Sequence, residues 1–235
     1  MRLPRRSMFA LIALCALPAH AADGGAVTST RVSNSHAILH LDDGRDVLLA
    51  DIIVPAAAPT LARFKGDEVL LQAEDEDRYG RLTAIAKPRG GRQPTIEETL
   101  LAAGEALTYS PGMLHQWDRW QQAEHDAEMN HRGWWSDHGV TTPGQAQQKL
   151  QQFVIIEGRV SSTHEARDAY HIYFGPAAKP ALTLTIPRTD WRSFDGVAIA
   201  PGDLVRARGT LISQDGPTLI LTHNEQLETQ HADAQ

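Results

Sequence analysis

The chain holds one cysteine in 235 residues, Cys15, and that residue lies in a short apolar segment near its start. A protein without a second thiol cannot build a disulfide, and without a cysteine outside that segment it offers neither thiolate catalysis nor a cysteine-held zinc. Aromatic residues make up 6% of the chain. Basic side chains are scarce too: 22 Lys and Arg stand against 29 Asp and Glu, a formal charge of −7. Because affinity for a phosphate backbone comes from neutralising it, this balance argues against tight, unspecific coating of nucleic acid and leaves room only for a local basic patch.

Long apolar runs are missing as well. Residues 8–17 form the apolar stretch, too short to cross a bilayer, and it follows the basic leader Met1-Arg2-Leu3-Pro4-Arg5-Arg6. Ala19-His20-Ala21 then places small residues where a leader peptidase needs them, so residues 1–21 read as a secretory signal peptide and the protein as periplasmic or secreted. Leu14 is too large for a good lipoprotein site before Cys15, and the Arg5-Arg6 pair lacks the rest of a twin-arginine signal. Cleavage before Ala22 would remove Cys15 and three arginines, taking the formal charge to about −10. What is left is long enough for one large or two small domains.

What is present is strand pattern and turn chemistry. Residues 31–55 read as a hairpin: Val32, His36, Ile38, Leu39 and Leu41 outline one strand, Asp42-Asp43-Gly44 the turn, and residues 47–54 an apolar return strand. Residues 68–73 form another strand, followed by the acidic run Glu74-Asp75-Glu76-Asp77. The glycine turn Asp77-Arg78-Tyr79-Gly80-Arg81 feeds the strand Leu82-Thr83-Ala84-Ile85-Ala86. Thr95 is an N-cap, Glu97 and Glu98 open a helix that buries Leu100 and Leu101, and Gly104 stops it. Tyr109 follows, then a polar helix over residues 114–131 and Gly133-Trp134-Trp135. Trp117 and Trp120 share one face of that helix and read as packing against the barrel rather than a base platform. His115, His125, His131 and His138 lack the i, i+4 spacing of a helical zinc pair, so no metal site is expected.

In sequence and order, residues 30–137 resemble the staphylococcal-nuclease (thermonuclease) family, whose D-x-Y-G-R turn, glycine-ended helix and terminal helix near G-x-W recur here. The resemblance implies an OB-type barrel with helices. In that family acids bind calcium, two arginines hold the scissile phosphate, and a glutamate is the general base. Carried over residue by residue, Asn34-Ser35-His36-Ala37 stands where the first calcium acids belong, Leu48 replaces one arginine, Ile53 an aspartate and Ala56 the glutamate. Arg81 alone matches. Hydrolysis of a phosphodiester needs an activated water and cationic groups around the phosphate. Losing one such donor costs about 100- to 1,000-fold, so the domain is expected to be a pseudo-nuclease, with Arg81 a relic paired to a nearby acid or still a phosphate contact. A displaced metal site around His36, Asp42, Asp43 and Asp51 is the competing reading. Weak calcium binding in the acidic run is the one cofactor the residues leave open.

Residues 139–149 are polar, contain Pro143-Gly144 and break the apolar pattern, so residues 139–150 read as a linker between a domain at 26–138 and one at 151–230. Five short strands with one inserted helix, over residues 189–194, then predict a second small barrel. Glu157-Gly158-Arg159-Val160, Phe174-Gly175 and Gly202-Asp203 through Arg208-Gly209 are similar to the OB module that follows thermonuclease-like domains in some secreted bacterial proteins. The overall expectation is a β-rich α+β protein, two barrels in tandem and monomeric. Tyr79, Tyr109, Arg159, Tyr170, Tyr173, Arg206 and Arg208 are the candidate ligand-binding residues, because OB barrels stack single strands on exposed aromatics within a basic groove. Alternatively Tyr170 is core or rim, and Arg206 and Arg208 point outward only because Val205, Ala207 and Gly209 face in. Three functions stay open: a non-catalytic binder of single-stranded nucleic acid or another envelope ligand, a metal-dependent nuclease with displaced residues, and an envelope protein–protein module.

Overall fold

The computed structural model describes residues 27–33, 37–77, 79–90, 93–109, 117–176, 178–194 and 196–232. The signal-peptide reading and Asn34-Ser35-His36 therefore fall outside the described residues. The first half is a closed barrel of β1 (Val27–Ser33), β2 (Ile38–Leu41), β3 (Asp46–Leu49), β5 (Glu68–Glu76) and β6 (Leu82–Pro88), in the order β1-β2-β3-β6-β5, with β5 returning to β1. β3 runs parallel to β6, and the other pairings of this barrel are antiparallel. Such a path makes the molecule β-rich and compatible with an OB-like barrel.

The expected hairpin is there, closed by Asp42-Asp43-Gly44, but its first strand is only β2, since Val32 lies on β1, which folds back antiparallel with Val32 across from Leu39, and its return strand is broken. Asp51 takes a left-handed φ of 56° after Leu49, so the chain leaves the barrel and β4 (Ile52–Ile53) pairs instead with β7 (Leu107–Thr108). A continuous apolar run does not reveal such a break, because the conformation of one residue decides it. α1 (Ile96–Ala102) begins at Thr95, whose hydroxyl accepts the Glu98 amide, and buries Ile96, Leu100 and Leu101 on the barrel. Trp120 of α2 (Trp117–Met129) joins the same core. Between α1 and the short α3 (Trp134–Asp137) the backbones nearly touch: the Trp134 amide donates to Gly104 at 2.7 Å, and a Cβ on either Gly104 or Gly133 would overlap the other segment.

The second half starts inside the expected linker. Thr141 bridges Ile156, and a 3₁₀ turn (Pro143–Lys149) buries Ala146 in the core of the second barrel. Gly158 accommodates this cap, since a side chain there would strike Pro143. β8 (Phe153–Arg159) continues after two residues into β9 (Ser162–Glu165), followed by β10 (Ala169–Phe174) and β11 (Leu182–Pro187). A 3₁₀ turn (Trp191–Phe194) stands where the inserted helix was expected. β12 (Leu204–Ser213), β13 (Pro217–Ile220) and β14 (Leu227–Gln230) complete the sheet. β9-β10-β11-β13-β12 is the path, and β8 pairs with β12, so the curled sheet comes back to its first strand. β11 and β13 are parallel, as β3 and β6 are in the first half.

The halves meet through a third apolar cluster. Leu107, Ala127, Trp134 and Trp135 from the first half pack with Ile155 from the second, and Ile53 and Phe153 flank them. Each such aliphatic or aromatic side chain, fully buried, contributes about 1.5–3 kcal/mol. No helix among the described residues is long and apolar enough to cross a membrane.

Candidate functional site

The glycine turn that carries Arg81 is self-contained. Asp77 Oδ1 accepts the amides of Tyr79 and Arg81 at 2.8 and 3.0 Å, while Oδ2 receives the Arg81 guanidinium through Nε at 2.7 Å and Nη2 at 2.6 Å. Desolvation pushes the Asp77 carboxyl up, yet the Arg81 side chain and the two amides outweigh it and hold the carboxyl below the ordinary aspartate value. The Arg81 guanidinium also lies 5.2 Å from the centre of the exposed Tyr79 ring. Arg81 is thus a strut of the turn it belongs to. Leu48 sits on β3, Ile53 on β4, and Ala56 is exposed beyond it, so none of these three positions carries a charged group. Among the described residues, no three His, Cys, Asp or Glu side chains gather as a metal site.

Arg208 is buried and Arg206 half-buried, and neither stands on an open face of the barrel. They alternate away from the core of their own barrel, as the strand period requires, but that outer face is covered by α2. Arg208 is 4% exposed; its Nη1 donates to Glu124 Oε1 at 3.0 Å and to the Thr108 hydroxyl at 2.6 Å, and its Nη2 to Glu228 at 3.0 Å. Arg206 pairs with Glu128 at 2.8 Å and lies over Trp135. The Thr108 amide and hydroxyl both donate to Glu124 Oε2, so the carboxylate is satisfied from both halves. A polar pocket of about 200 Å³ opens beside these pairs, lined also by Gln121 and His125. Tyr109 is likewise a joint residue: its ring meets Phe153 and His223 edge-on at 5.5 and 5.2 Å, and burial pushes its hydroxyl pKa up.

No protein-family model matches the chain, and no curated protein matches it.

The second barrel's outer face is a different matter. Along β10, Ile172 and Phe174 point into the core, which leaves His171 and Tyr173 on the outside. His171 stands directly across from His164 of β9, their rings within 9° of parallel and 6.5 Å apart; Tyr173 follows at 6.0 Å and 23°. The His171 Nδ1 is 3.1 Å from the Thr185 hydroxyl, which fixes that ring, and Thr183 lies across from Tyr173 on β11. Three rings therefore form a row on the outer face of this sheet.

Of the sequence candidates on this barrel, only Tyr173 belongs to the row. Tyr170 turns inward onto Trp191 at 4.9 Å, and Arg159 reaches the Gly202 carbonyl at 3.0 Å. His164 and His171 were overlooked. The signal for His171 was in the alternation of residues 169–174, which puts it on Tyr173's face; His164 required the register of the β9–β10 pairing.

Proposed function

We propose that this is an exported, thermonuclease-like protein of two OB-type barrels that binds a single-stranded nucleic acid through the outer face of its second barrel and does not cut it. The row His164, His171, Tyr173 carries this reading. Its steps of 6.5 and 6.0 Å are close to twice the ~3.4 Å spacing of stacked bases, so its rings suit the flat faces of successive bases. Two features support a non-catalytic role: Arg81 is engaged by Asp77, and leucine, isoleucine and alanine stand where the family's chemistry needs charged groups. The repeated strand path of the two halves supports the family likeness.

The acidic chain implies binding dominated by stacking instead of charge neutralisation. Fluorescence anisotropy of the purified chain with a labelled single-stranded oligonucleotide should show a stable rise whose salt dependence corresponds to only about one or two phosphate contacts, against a slope of roughly 0.7 per contact. Tyr173→Ala should weaken binding by about 5- to 150-fold, the equivalent of ~1–3 kcal/mol for one stacked base. Arg81→Ala should leave it unchanged. Absence of any rise would sink the ligand assignment. A metal-dependent fall with time would show cleavage and sink the non-catalytic part.

A further inference from the structure

A larger pocket, about 440 Å³, lies at one end of the second barrel, within the 300–1,000 Å³ range of small-molecule sites. Three segments build it: the β10–β11 connection, the β12–β13 turn and the 3₁₀ turn at Pro143–Lys149. Gln147, Lys179, Pro180, Asp215 and Pro217 line it, with Gly144 and Gly216 leaving the walls open. The turn is held firmly, since the Thr218 hydroxyl donates to the Gln214 carbonyl at 3.0 Å and the Gln214 amide to Gly216 at 2.9 Å.

Lys179 and Asp215 border one space and form no ion pair with each other or with another described residue, whereas Arg188, Arg206 and Arg208 all do. A cation and an anion that line one pocket without pairing suit a ligand that presents an anionic group to one and hydroxyl donors to the other. Proline rings on the walls suit the carbon face of a small ring, and Gln147 can both donate and accept. Ala181, at the pocket, stands two residues before Thr183 of β11, about 7 Å of extended chain from the Tyr173 rung.

From this arrangement we infer that the pocket is a binding site for a sugar phosphate, the phosphate held by Lys179 and the sugar hydroxyls by Asp215 and Gln147. It rests on the proposed function in one respect: the ring row beside it makes the end of a nucleic-acid strand the natural source of that group.

The test uses amide NMR spectra of the full chain titrated with ribose 5-phosphate, and separately with inorganic phosphate, ribose and glycine. Ribose 5-phosphate should shift the Gly144, Ala181 and Gly216 amides, and bind at least 10-fold more tightly than phosphate or ribose alone. Lys179→Gln should weaken it at least 10-fold. Asp215→Asn should weaken ribose 5-phosphate but not phosphate. Both side chains are exposed, so the variants should fold as the parent does. Tyr173→Ala should leave this binding intact, so unchanged oligonucleotide binding in that variant, with ribose 5-phosphate still bound, overturns the ring-row reading and not this one. Unshifted amides, indifference to Lys179→Gln, or tighter binding of zwitterionic glycine would each overturn the site.

Discussion

Glu97 shows how much one residue's surroundings can decide. It is an ordinary first-turn glutamate in the sequence, yet its side chain is fully buried against β6, where Oε1 accepts the Ala86 amide at 2.9 Å and Oε2 has no partner. Burial, chiefly, pushes its carboxyl up to about 8, and the nearby Asp51 adds to that. The folded state therefore favours the protonated form. Stability from this group is complete below about pH 4.5 and is lost as pH rises through 8, by at most about 5 kcal/mol at 1.36 kcal/mol per unit. Glu97→Gln should remove that loss, so urea midpoints at pH 9 should be higher in the variant, with little difference at pH 5. His223 works in the other direction: burial holds its pKa down to about 4, and its Nε2 lacks a partner. Its contribution is present above the usual histidine value and is lost as pH falls from about 6.5 towards 4. Acid unfolding followed by circular dichroism should therefore begin at a lower pH in His223→Gln.

Among the elements, the match between α2 and β12 stands out as the one that joins the halves. Four helical residues rise about 6 Å and two strand residues about 6.7 Å, so Glu124 and Glu128 on one helix face meet Arg208 and Arg206 on one strand face in register. Breaking a buried pair by removing one partner leaves an uncompensated charge and costs about 3–5 kcal/mol. Glu124→Ala or Arg208→Ala should lower stability by that amount in denaturant titrations, whereas replacing both by apolar residues of similar volume should cost far less. Tyr173→Ala, on an outer face, should leave the midpoint almost unchanged. The glycine turn at Gly80 followed its sequence reading closely, because Asp77, Tyr79 and Arg81 are neighbours and their hydrogen bonds are local. So did the Thr95 cap and the Gly104 stop. The broken strand at Asp51 was not readable, since nothing in an apolar run marks the residue at which the chain turns out of the barrel.

At the scale of the molecule, the apolar cluster around Ile155, the two ion pairs and the Tyr109 contacts make the halves behave as one unit. Calorimetry should show a single unfolding transition in the parent and two separable ones in Arg208→Ala. Turns, caps and the presence of two β-rich halves were determined by the sequence alone, because glycine turns and capping residues act within about ten positions, whereas the strand number was not: seven strands stand in the second half where five were expected. The roles of the arginines were decided only by tertiary structure. Arg206 and Arg208 alternate outward on their strand as the period dictates, but whether outward means solvent or another element depends on where α2, some 80 residues earlier in the chain, comes to rest. The same reason applies to the ring row: His164 and His171 become neighbours only through the register of two paired strands, and no local pattern states that register.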